Sequence, residues 1–191
     1  VMLLSSFNSG YRQITCNFPI RNLSDMKGAK IRVVPSDLYQ QLFTAFGAAA
    51  TPMAFSEVPT ALITNVIDGQ ENPYSVIVSS ALYEVQKYCM ETNHLPTNHG
   101  LWMNRNTYES LTPEQQEAVL KAAYDASAYM DKYILDKVEE YKKICEDNGM
   151  EIIDAENGLD IDGFKAAAEN VYDYFAEDWG DMPDLIRAVQ P

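Results

Sequence analysis

Between Thr112 and Gly149 the chain carries one unbroken helical period, and any fold for this sequence must find room for it. Thr112 and Gln115 form a capping box, with Pro113 at the first helical position, where its missing N–H costs nothing. Val119, Ala123, Ala126, Met130, Ile134, Val138, Tyr141 and Cys145 recur at steps of three and four and predict the buried stripe. Asn148-Gly149 supplies the stop. At about 1.5 Å per residue such a helix is roughly 50 Å long, more than the width of a small domain. A helix of that length braces two bodies or wraps one.

The segments before it alternate between strand and helix patterns. VMLLSSF reads as the inside of a strand, NSGY as a turn and YRQITC as a second strand. NLSDMKG predicts a loop with a helical turn, and AKIRVVP a strand. Ser36 is placed to cap DLYQQLFTAF, which Gly47 ends. AATPM predicts a short extended piece. Ser56 is expected to cap EVPTALITN, with Pro59 tolerated in its first turn. DGQENP reads as a turn, SVIVSSALYEV as a helix, QKYCMETNH as extended and LWMNR as a strand. After the long helix, MEIID predicts a strand and 162–188 two short helices. The alternation argues for an α/β architecture with a largely parallel sheet.

Fourteen basic residues face 28 acidic ones, a formal charge of −14, which argues against binding a nucleic-acid backbone. No apolar run is long enough to span a bilayer. Cys16, Cys89 and Cys145 are odd in number and far apart, and they read as small buried residues rather than as a disulfide framework or a zinc site. His94 and His99, five apart in a Pro-containing extended segment, are weak evidence for a metal site. The chain contains no G-x-S-x-G, H-E-x-x-H, P-loop or G-x-G-x-x-G pattern, and it is read as a non-enzyme without metal or cofactor.

Arg32 is the informative charge. It alternates with Ile31 and Val33 near the carboxyl end of its strand, the edge at which α/β sheets bind ligands. Phe55 offers an apolar wall, and Asn72 is held extended by the proline that follows it. Arginine, phenylalanine and asparagine together make a carboxylate fork, a cover for a carbon chain and a neutral polar clamp.

GYRQIT, KGAKIRVVPS, FGAAATPMAFSEVPTAL, NVIDGQENP and YEVQKYCMETNH resemble the signature segments of TRAP transporter solute-binding proteins of the DctP type, and the likeness covers nearly the whole chain. The resemblance implies a periplasmic-binding-protein-like second lobe, a mixed and largely parallel sheet flanked by helices, with one long bracing helix. It implies an extracytoplasmic, periplasmic receptor that takes a small organic carboxylate in an interlobe cleft and delivers it to the TRAP membrane permease subunits. By the same motifs Arg32 would pair with the ligand carboxylate, Arg12, Phe55 and Asn72 would contact the ligand, and Glu71 and His94 would stand behind Arg32. Pro59 departs from the family, which commonly has an aromatic residue after SEV.

The resemblance further implies that an upstream lobe is missing and that this chain is a fragment of a longer protein. The ligand-binding lobe would comprise 10–97 and 138–191. Segment 98–137 would hold the crossover strand and the first part of the long helix, packed with the missing N-terminal lobe. With those faces uncovered, the isolated fragment is expected to associate with a second copy. An extracytoplasmic sensor, or a module handing ligand to another partner, is the alternative use of the same lobe.

Overall fold

The structure is a computed structural model that describes residues 1–189. In chain order its strands are β1 (Met2–Cys16), β2 (Lys30–Val33), β3 (Ala49–Pro52), β4 (Gly69–Pro73), β5 (Tyr88–Met90), β6 (Pro96–Met103) and β7 (Glu151–Ile153). Its helices are α1 (Leu23–Met26), α2 (Asp37–Ala45), α3 (Val58–Ile63), α4 (Tyr74–Ser79), α5 (Arg105–Glu109), α6 (Pro113–Asp147), α7 (Ile161–Tyr174), α8 (Ala176–Trp179) and α9 (Met182–Ala188). The chain divides into two units. One comprises 1–13, 72–84 and 93–150, the other 14–71, 85–92 and the chain from 151 onward.

In the second unit the strands run in the order β3-β2-β4-β1-β5-β7. β2 is parallel to both β3 and β4, and β5 is antiparallel to β1 but parallel to β7. The sheet is therefore mixed and largely parallel, flanked by helices, as expected. Ile14, Ile31, Val33 and Met90 are fully buried, and Leu42, Phe43 and Phe46 of the α2 region join them in the core. Phe46 meets Phe43 and Phe164 edge to face at 5.5 and 5.0 Å, which locks α2 against α7. Asn22 caps α1 by accepting from the amides of Ser24 and Asp25.

In the first unit the opening stretch of β1 pairs antiparallel with β6, from Met2↔Met103 to Tyr11↔Pro96. The expected turn at NSGY does not form. The strand continues through it, and the register slips between Asn8 and Tyr11. Gly10 absorbs the irregularity at φ +93°, and its amide donates to Asn8 Oδ1 at 2.6 Å. Pairing with β6, which starts earlier than LWMNR suggested, keeps both halves in one strand.

α6 spans the expected length and carries the expected capping box at Thr112. Its buried residues are Ala123, Ser127, Ile134 and Cys145. Ala126 is exposed, and Ser127 takes the inward place. It can do so because its hydroxyl hydrogen-bonds with that of Ser5 on β1, which also donates to the Ala123 carbonyl at 2.9 Å. On the outer face Lys121–Asp125, Lys132–Asp136 and Lys143–Asp147 pair one turn apart, and being exposed they add little to stability.

Three further expectations are corrected. DGQENP is a strand, β4, with all five of its residues buried. Ser56 caps nothing. It lies inside a 3-10 turn (Phe55–Glu57), and α3 starts at Val58. The tail forms three helices because Tyr174-Phe175 and Gly180 break it twice, Gly180 at φ +52°. Ser36 occupies its cap position but makes no side-chain capping bond. The three cysteines are buried thiols outside any disulfide, and burial pushes those of Cys16 and Cys145 up to about 11.

β4 can lie this close to β1 only because of Gly69. A Cβ there would overlap the Thr15 carbonyl oxygen and press to 3.0 Å from Ile31 Cδ1. Gly69→Ala is therefore expected to cost about 1–3 kcal/mol in urea denaturation. An unchanged midpoint would show that the strands can separate at no cost.

Candidate ligand-binding site

KIRV forms β2 as its alternation predicts. Ile31 and Val33 are wholly buried. Arg32 is buried too, only 3% exposed, so its guanidinium must find its partners inside the protein. Nε and Nη2 both donate to the backbone carbonyl of Met53, at 3.1 and 2.9 Å. Met53 follows β3, whose register with β2 pairs Val33 with Pro52, so the carbonyl sits where the arginine stem ends. Two bonds to one acceptor fix the plane of the guanidinium as well as its position. Cζ lies 5.6 Å from the centroid of the Phe55 ring, a cation–π contact worth about 0.5–1 kcal/mol at a partly exposed site. Phe55 begins the 3-10 turn and is more than one-third exposed. Glu57 ties that turn by accepting from the Ala54 amide at 3.2 Å. In the second unit, then, Arg32 and Phe55 come together as a donor group beside an aromatic wall.

In the first unit Arg12 and Asn72 come together. Arg12, on β1, is 5% exposed, and its Nη2 donates to Asn72 Oδ1 at 3.0 Å. The Arg12 amide donates to the Leu95 carbonyl at 2.9 Å, which anchors the strand behind the side chain. With its oxygen engaged by the arginine, Asn72 presents its NH₂ as a donor group. Glu71 is fully buried beside Asn72 on β4, and His94 is half-buried in the segment between β5 and β6. His99 stands apart from these, exposed and tilted against Phe7 at 5.3 Å.

Sequence reasoning missed two parts of this arrangement. The Met53 carbonyl is backbone, and no side-chain pattern announces it. The other is a buried polar chain beneath the sheet face, in which Gln70 donates to Thr15 and Thr15 to Gln86, each at 2.9 Å. Gln70 stood inside a motif that had been read as a turn, which hid its burial. The first unit also holds a cavity of about 110 Å³ lined by Tyr11, Tyr74, Ile134, Val138 and Tyr141, among others. That is well below the roughly 300 Å³ at which ligand pockets for organic molecules begin.

Both residue pairs offer fixed N–H donors and positive charge, the chemistry of an α/β module that recognises an anion. Residues 1–178 match the bacterial extracellular solute-binding protein family 7, DctP, and the chain belongs to that family. It is 33% identical over 189 residues to the 2,3-diketo-L-gulonate-binding periplasmic protein YiaO of Escherichia coli, covering 98% of this chain and 57% of that protein. A TRAP periplasmic solute-binding protein of Xanthobacter autotrophicus, solved with bound β-D-galacturonate, superposes with a TM-score of 0.91 at 34% identity, covering 99% of this chain and 63% of that one. Another from Chromohalobacter salexigens, solved with bound D-glucuronate, gives a TM-score of 0.91 at 33% identity over 99% of this chain and 62% of that one. The chain thus spans a little over half the length of the curated relatives it matches.

The Arg12–Asn72 bond can be separated from ligand effects. Asn72→Leu removes an acceptor from a buried guanidinium and is expected to cost about 1–3 kcal/mol in urea denaturation. Asn72→Asp keeps an oxygen in the same place and is expected to retain wild-type stability or better. Equal loss in both variants would show that the bond contributes nothing.

Proposed function

We propose that this chain is the second lobe and connecting segment of a TRAP-type extracytoplasmic solute receptor, and that the whole protein binds a small organic carboxylate and delivers it to the membrane permease. The observation that carries this is Arg32, buried and oriented by the Met53 carbonyl in a chain of the DctP family. The relatives named above are named for binding, or were solved with, sugar acids, each with one carboxylate and several hydroxyl or keto oxygens. Arg32 receives the carboxylate, Phe55 covers the carbon skeleton, and Arg12 and Asn72 donate to further oxygens. Glu71 and His94 stand behind Arg32. Glu71 serves as the counter-charge that a buried guanidinium requires when no ligand is present.

The family supports a periplasmic location, and no helix among the described residues is long and apolar enough to cross a membrane. On this reading residues 10–97 and 138–191 form the ligand-binding lobe and 98–137 packs with an upstream lobe, for which the relatives' greater length leaves room. The family consists of solute receptors, and the role proposed here is binding and hand-over rather than catalysis.

Binding at Arg32 can be measured on the full-length receptor by calorimetry with D-glucuronate and D-galacturonate. Arg32→Lys keeps the charge but loses the planar fork, so affinity should fall at least about tenfold, and Arg32→Ala should lose about a hundredfold. If both variants bind like wild type, Arg32 is not the carboxylate site.

The faces assigned to the upstream lobe make a second expectation measurable. Leu3 and Trp102, register partners on β1 and β6, are 48% and 61% exposed. Exposed side chains of this size each forgo about 1.5–3 kcal/mol of burial. The isolated 191-residue chain is expected to dimerise at high micromolar concentration in sedimentation velocity, and to become monomeric when both are replaced by serine. A wild-type monomer throughout would remove the proposed boundary.

A further inference from the structure

β1 changes parity partway along. From Ser5↔Leu101 to Asn8↔Asn98 its pairing with β6 is regular, but the next pair is Tyr11↔Pro96, three residues on in β1 against two in β6. One extra residue is thus inserted in β1. Every side chain beyond it leaves the opposite face from the one that plain alternation would give. The burial follows this change. Ser5 and Ser9 are buried and Ser6 is exposed, whereas Tyr11, which alternation would send inward with the first two, is exposed and Arg12 is buried. Gln13, on the same side of the strand as Tyr11, is covered by Asn93, with which its amide both donates and accepts.

The slip is held from α6. The Asn8 amide donates to Asp131 Oδ1 at 2.7 Å, and the Gly10 amide to Asn8 Oδ1 at 2.6 Å. The Asn8 side-chain NH₂ then reaches across the ladder to Asn98 Oδ1 at 3.2 Å. Gly10 supplies the positive φ, and a Cβ there would stand 3.7 Å from Ile134 Cγ2. Asp131 and Ile134 are three apart on α6 and so share the face turned to β1, as does Ser127 one turn earlier, which meets Ser5. Before the slip, four successive pairs with β6 and the Ser5 bonds to α6 hold the register. Past it, among the described residues, a single pair with β6 continues the ladder, Tyr11↔Pro96. A release at the slip is therefore taken up on the Arg12 side.

We infer that Asp131, on the long helix, is a positioning residue for Arg12. By holding the Asn8 amide it keeps the extra residue in β1, and that residue turns Arg12 from the exposed face to the buried one. Strand parity sets the face from which the arginine leaves, whichever groups its guanidinium then meets, Asn72 among them. The functional meaning rests on the reading of Arg12 as a ligand contact, but the change of face does not.

The test uses the 191-residue chain without ligand. Phenylglyoxal modifies accessible arginines and tetranitromethane nitrates accessible tyrosines, and peptide mass mapping gives the rate at each position. In wild type Arg12 and Arg32 should react slowly and Tyr11 fast. Asp131→Ala removes the acceptor of the Asn8 amide. Arg12 modification should then rise about tenfold or more relative to Arg32, the fold-change of one lost buried bond, while Tyr11 nitration falls as the two exchange faces. Asp131→Asn keeps an acceptor oxygen and should react as wild type. Deleting Ser9 from Asp131→Ala removes the extra residue, so alternation from Asn8 again sends Arg12 inward and its protection should return. If Asp131→Ala does not fold, Asn8→Ala removes the acceptor of the Gly10 amide and carries the same expectation. The inference is overturned if Arg12 stays protected, if Arg12 and Tyr11 both speed up as in unfolding, if Asp131→Asn reacts like Asp131→Ala, or if the deletion restores nothing. A finding that Arg12 does not touch ligand would defeat the functional reading while leaving the exchange of faces intact.

Discussion

The structure depends on burying a polar strand. β4 reads Gly-Gln-Glu-Asn-Pro and is buried along its whole length, where an unpaired amide or carboxylate would cost several kcal/mol. Its position is made possible by two features of opposite kind. Gly69 has no side chain, so the backbone can approach Thr15 and Cys16 on β1. Gln70 then spends its amide on the same strand. Close approach brings the hydrogen-bonding groups within reach, and those bonds justify the approach. This strand also carries Glu71 and Asn72, and Arg32 stands on the strand beside it.

That dependence explains where the sequence was legible. α6 announces itself because capping, period and stop signal agree over 35 residues. β2 is equally plain, since KIRV has both the alternation and the β-branched residues of a strand. DGQENP has neither. Its composition is that of a turn, and only tertiary hydrogen bonding makes it a strand. NSGY fails in the same way: local turn residues are overridden because β6 offers a continuous pairing partner. Ser127 in place of Ala126 is a smaller case, in which a hydroxyl bonded to Ser5 wins the inward position that hydrophobicity alone would give to alanine.

The site was legible as a list of residues more than as a geometry. The side chains that carry charge or an aromatic ring were visible, and two pairs among them meet: Arg32 with Phe55, and Arg12 with Asn72. What holds them was not visible. The acceptor for Arg32 is a main-chain oxygen, placed by the register of β2 with β3, and registers are not written in a single sequence. The Thr15–Gln86 bond joins residues 71 positions apart, beyond any local pattern.

The charge balance makes the orientation of Arg32 matter more. On the reading proposed above, a carboxylate ligand would approach a chain with 28 acidic and 14 basic residues, whose average field repels it. At physiological ionic strength exposed charges beyond about 8 Å are largely screened, and several of the acids on α6 are paired with lysines one turn away. The outcome is decided by the few charges within a Debye length of the ligand, and among these by the buried ones, which salt screens least. A guanidinium whose plane is fixed by a backbone carbonyl has already given up rotamer freedom that binding would otherwise cost. Met53 therefore helps to fix where the donors point. An acidic protein can bind an anion when its local donors are fixed in this way, and the surface acids then serve solubility without deciding affinity.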